Sequence, residues 1–188
     1  SGTVTADGGE FGTSAGGGAS TNNNADFTVS GTGTLAVTDD TTVDSVTNAG
    51  GTVTIASGQI LTTNLSHADN GLSANFTTTN FGSLVGNLSI VDGEFIARST
   101  SLLSDMSIDV NTAGTFTAAG GAFAAGKTVA VDNGGTLAVT ENTSVATVTN
   151  TDGVVSIAVG KNLTTNLTVA SGAASVTTID GTLTGELV

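Results

Sequence analysis

The sequence predicts an all-β chain, a right-handed parallel β-solenoid with rungs of about twenty residues. Three observations predict it. Gly followed by an alternating strand recurs at Gly33, Gly51, Gly71, Gly93, Gly114, Gly135 and Gly153, at spacings of 18, 20, 22, 21, 21 and 18 residues. One solenoid turn requires a period of that size, enough for two or three short strands with tight bends between them. The stretch Gly33 to Leu65 returns without a gap at Gly135 to Leu167, at an offset of 102 positions, with 21 of 33 pairs identical. The composition agrees: 27 Gly, no Pro, no Trp and no Tyr, with Thr and Val prominent. A branched Cβ packs well on a pleated surface, and few stretches offer the apolar spacing of a helix.

At roughly 4.8 Å per rung, about eight rungs would make a rod on the order of 40 Å long. The alternative architecture is two β-sandwich domains, because an offset of 102 residues also fits an immunoglobulin-like unit. The second unit would then be short, and a neighbouring subunit could donate the missing strand, with Ser1 to Ala25 as donor.

In chain order, residues 1–26 form a Gly/Asn-rich arm, residues 27–113 a first β-repeat unit and residues 114–188 a second. The arm reads as flexible, or as a strand around Gly2 to Ala6 that pairs with a neighbour. Each Gly that opens a segment would sit at a corner, where backbone angles closed to other residues are needed. Alternation puts Leu35, Val37, Val53 and Ile55 on one face and Thr34, Thr52 and Thr54 on the other. The second copy repeats this with Leu137, Val139, Val155 and Ile157. Its next strand continues through Leu163, Leu167 and Val169; the first copy has Leu61, Leu65 and His67 there. The region 76–113 fits the repeat least. Leu102, Leu103 and Met106 suggest a helical turn at Ser99 to Met106, and Phe76, Phe81, Phe95 and Phe116 cluster around it. The pattern resumes to Val188, where the chain stops in mid-strand without a cap. That expectation is truncation or docking onto another molecule.

Charge narrows the function classes. Only 10% of residues are charged, and 16 Asp and Glu face Arg98, Lys127 and Lys161, for a net charge of -13. Such a surface repels nucleic-acid phosphates and anionic headgroups, and attracts cations. Without Cys there is neither a disulfide nor thiolate chemistry. No apolar run is long enough for a membrane helix. The start at Ser1, with no leader pattern, reads as a processed or excised chain.

Few residues invite chemistry. Asp39, Asp40 and Asp44 put three carboxylates just after a strand, the kind of oxygen cluster calcium uses. The second copy offers Glu141, Asn142 and Ala146 at those positions, and a solvated acidic turn explains the cluster as well. Asp92 with Glu94, or Asp105 with Asp109, are the pairs a polysaccharide-acting enzyme could use. No Trp or Tyr is available to stack on a sugar. His67 is the sole histidine, so a His pair is excluded; it reads as a partly buried structural residue. Arg98 reads as an ion-pair partner of Asp92, Glu94 or Asp105. Asn48 with Asn150 and Asn64 with Asn166 hold matching places, either as stacked caps of backbone groups at bends or as plain turn residues. The matches to the N-glycosylation pattern at Asn64, Asn87, Asn142 and Asn162 are expected by chance in so Thr/Ser-rich a chain.

The wording GTLAVT, GGTVTIASGQILTTNL and GKNLTTNLTVASGAASVTTIDGTL resembles the passenger regions of bacterial autotransporters, including rickettsial outer-membrane-protein-B-like surface antigens. It is similar also to Gly/Thr/Asn-rich surface-layer and filament proteins. The resemblance implies an exported extracellular β-protein acting in adhesion, coating or filament formation. Open ends and the Gly-rich N-terminal arm would mediate self-association, and a host or cell-surface ligand is a further expected partner. It carries no catalytic residue over; no cofactor is expected, calcium at Asp39, Asp40 and Asp44 apart.

Overall fold

The computed structural model describes residues 2–10, 26–68, 76–98, 102–104, 107–120, 122–123, 127–170 and 174–188. Among these, twenty strands belong to a single sheet wound on itself, and no helix occurs. The ladders between named strands are parallel, each turn pairing with the turns before and after it. This is a β-solenoid, and the two-sandwich alternative is not adopted. Alternation decided the outcome: the rungs have one mostly apolar side, interrupted at the buried Thr78 and Asn80, and stacking the rungs buries those sides continuously.

Each turn has three faces. On the first, nine segments stack among the described residues, beginning at Thr3, Thr34, Thr52, Thr77, Glu94, Thr115, Thr136, Val154 and Val176. The eight steps between them, at roughly 4.8 Å each, span about 40 Å. The second face carries short strands such as Ser83–Val85, Leu102–Ser104 and Thr182–Thr184. The third carries Asp26–Ser30, Leu88–Ile90, Ile108–Val110 and Thr128–Asp132. The strand Thr34–Ala49 runs over all three, bending where its register slips between Thr42 and Ser45. Its repeat counterpart slips at the same place, between Ser144 and Thr147. The two copies thus share even their irregularity.

The core lies along the solenoid axis. Leu35, Val53, Phe95, Phe116, Leu137 and Val155 line one column, with Thr78 between Val53 and Phe95; Val37, Ile55, Ala97, Ala118, Val139 and Ile157 line the next, with Asn80 between Ile55 and Ala97, all buried. Where Phe enters the first column, Ala enters the second, so the volume per rung is held nearly constant, as a close-packed interior demands. Phe95 and Phe116 stack at 5.6 Å between centroids with 8° between planes.

Several expectations are corrected. Of the two readings of the N-terminal residues, Thr3–Glu10 takes the strand, but its partner is this chain's own Thr34–Ala49, with which it pairs in parallel as the first rung. Residues 11–25, the rest of that arm, lie outside the described residues. The region 76–113 carries ladder strands, and Leu102–Ser104, expected in a helical turn, pairs as a strand with Ser83–Val85. Leu102 and Leu103 satisfy either period, and the neighbouring rung selected extension. The segment expected to open at Gly71 falls on residues 71–75, which lie outside the described residues; the described strand there is Thr77–Asn80. The corner glycines are needed for space more than for unusual angles. A Cβ on Gly51 would lie 2.5 Å from Val29 Cγ1 and 2.7 Å from the Gly33 carbonyl. Only the backbone alone passes that corner.

Candidate functional site

The carboxylates nominated for calcium sit where the chain turns from the first face to the second and on to the third. All three residues are exposed. The Asp39 carboxylate accepts from the Asp40 N–H at 2.9 Å, and the Asp40 carboxylate accepts from the Ile60 N–H, one rung on, at 2.9 Å. Asn142 does the same for Asn162 N–H at 2.9 Å. A neutral amide in the second copy therefore fills the structural role of Asp40. Among the described residues, no three His, Cys, Asp or Glu side chains gather as a metal would require.

Of the nominated acid pairs, Asp92 with Glu94 is engaged locally. Asp92 accepts from the Gly93 N–H at 2.8 Å, and Glu94 accepts from the Thr117 hydroxyl at 2.5 Å. Asp109 is exposed on the third face, and its proposed partner Asp105 lies outside the described residues. The Arg98 guanidinium lies over the exposed Phe81 ring, 5.9 Å from its centroid.

His67 is fully buried, where the residue pattern suggested partial burial. The third face carries it directly above Asn48, and its ring packs against Phe76 and Phe95, with centroids 5.3 and 6.2 Å away. Nε2 lies 2.7 Å from the Thr78 hydroxyl, which also accepts from Asn48 Nδ2 at 3.3 Å. Nδ1 is buried without a hydrogen-bond partner. Burial lowers the His67 pKa from 6.5 to about 4, and a weaker approach of the Asp92 backbone opposes this in part. The ring is neutral near pH 7, a structural group closed to solvent.

The Asn positions separate into two kinds. Asn48 and Asn150 are buried, and each accepts from a corner N–H, Gly51 and Gly153 respectively, at 3.0 Å. Their ladder neighbours are Val29 and His67, and Val131 and Val169, so the two do not stack on like residues. Asn64 and Asn166 are exposed and accept from the next rung, at Asn87 N–H (3.3 Å) and Glu186 N–H (3.4 Å).

What the residue pattern did not single out is the outward side of the first face. Nine segments with two outward positions each make two columns of side chains. Thr fills eleven of the eighteen positions; Ile96, Val154 and Val176 supply apolar ones, and Glu94 is the single charge. The signal was visible in phrases such as Thr52-Val-Thr and Thr115-Phe-Thr, but only the register lines them up. Chemically this array offers methyl groups and hydroxyls to a flat partner, with one carboxylate, Glu94, bonded to Thr117.

The fold and this surface define a β-solenoid with a regular hydroxyl-bearing face. No known protein family, no curated protein and no solved structure matches the chain.

Proposed function

We propose that this chain is an extracellular structural and adhesive protein of a bacterial cell surface, self-associating into a filament or coat. The observation that carries the reading is the first face, a straight array with one charge among eighteen outward positions on a chain of net charge -13. Like-charged copies can approach closely only through a surface nearly free of charge. The mechanism is mechanical. Stacked Val, Leu and Ile with continuous backbone ladders give stiffness, while outward Thr, Ser and Asn meet the partner. In this reading the chain catalyses nothing, and its similarity in wording to autotransporter passengers supports the cell-surface location. Negative-stain images and sedimentation over a concentration series test it. Fibres, sheets or discrete oligomers that grow with concentration are expected; a species that stays monomeric at the highest concentration would overturn the reading.

A further inference from the structure

The self-association just proposed needs a surface, and the sheet geometry singles out one. Resting on that reading, we propose that two copies of this chain pack sheet against sheet through their first faces.

Regularity is the first ground. From the pairing of Thr34 with Thr52 to that of Ile157 with Ile179, first-face ladders run without a register shift. The strands crossing from the second face to the third shift in both repeat copies. Outward side chains of the first face therefore stand in straight columns, about 4.8 Å apart along the rod and about 6.7 Å apart along each strand. Two such arrays can interdigitate over their whole length, as dry interfaces between paired sheets do.

Charge is the second. The third face holds Asp26, Asp109 and Asp132 at outward positions, Asp109 and Asp132 beside buried inward residues and Asp26 beside the half-buried Phe27. The charges on the first-face strands are Glu94, already bonded to Thr117, and Arg98, which ends the same strand and lies over the Phe81 ring. Area is the third ground. Nine rungs of four residues make a flat footprint of roughly 570 Å² per copy, about 1,100 Å² for the pair. That clears the ~1,000 Å² expected of a specific interface. The second face falls short, because strands such as Ser83–Val85 and Ala122–Phe123 span only three and two residues.

Glu94 makes the proposal specific. It lies on the fifth of nine segments. Any two-fold pairing with full overlap brings both Glu94 carboxylates to the same level of the stack, where like charges oppose association.

Sedimentation equilibrium of the full chain with two pairs of variants tests this, circular dichroism confirming that each variant keeps its sheet. Thr52→Glu with Thr136→Glu charges the first face; Thr62→Glu with Thr164→Glu places the same charge on the second. The first pair is expected to weaken association at least tenfold, and the second pair to leave it within twofold. Glu94→Gln is expected to tighten it severalfold. Association unchanged by the first pair, or weakened equally by both, would overturn this surface while leaving self-association standing. A wild-type chain that stays monomeric throughout would overturn the surface and the underlying reading together.

Discussion

At the scale of single residues, the buried polar node around His67 carries a cost that pH exposes. Its ring is held neutral by burial, with a pKa lowered from 6.5 to about 4. The unfolded chain takes up a proton near pH 6.5, whereas the folded chain refuses it until about pH 4. Stability is therefore fully present above pH 6.5 and falls as the pH drops toward 4. The expected loss over that window is roughly 3 kcal/mol. The His67→Leu variant, an apolar side chain of similar size, should lose this component. Urea unfolding at neutral pH and at the acid end of the window measures the difference; equal acid sensitivity of both proteins would refute it. Asp40 gives a second prediction. Its carboxylate caps the Ile60 N–H as Asn142 caps that of Asn162. Asp40→Asn should leave the melting temperature unchanged, and Asp40→Ala should lower it by about 2 °C. A chelator should shift none of these melts; a marked drop on chelation would instead place a cation at Asp39, Asp40 and Asp44.

At the scale of elements, the corners matter more than the strands. Gly86 and Gly58 both have positive φ, 126° and 82°. A Cβ at Gly58 meets open space, whereas at Gly86 it would run into the Thr63 carbonyl of the preceding rung. Gly58→Ala should therefore cost only backbone strain, about 1 kcal/mol. Gly86→Ala should cost more than about 4 kcal/mol or prevent folding, since the rung spacing cannot widen locally. Chemical denaturation of the two variants side by side checks this, and similar losses would show that the corner yields. Much of the element scale was legible in advance. Leu35 with Val37, Val53 with Ile55 and their second-copy counterparts were placed on the inward side by alternation alone, and all are buried. The helical turn expected at Ser99 to Met106 was not, because a short apolar run fits either period and only the neighbouring rung arbitrates.

For the whole molecule, each rung contacts only its neighbours, so stability is distributed along the rod. Among the described residues, Val176–Ile179 pairs with Val154–Ile157 on one side alone, and Val176 and Ile179 are 49% and 41% exposed. Val155 and Ile157, one rung in, are buried. Native-state hydrogen exchange should show Val154–Ile157 amides protected far more strongly than those of Val176–Ile179. Uniform protection across these rungs would mean that the rod opens all at once.

The sequence by itself determined the class of fold, the period and the inward face, because pleating and alternation are local and need only neighbours along the chain. It also determined that the chain repeats itself; the structure added that the two copies share a slip of register, in Thr34–Ala49 and Thr143–Thr151. Only the tertiary structure decided which rung meets which. Thr3–Glu10 joins Thr34–Ala49 across an intervening stretch, and Asn48, His67 and Thr78 meet from three strands. Such meetings depend on the lengths of corners and connections, which alternation does not encode. The candidate surface has the same origin: its threonines were readable one strand at a time, and the register of nine segments made them a face.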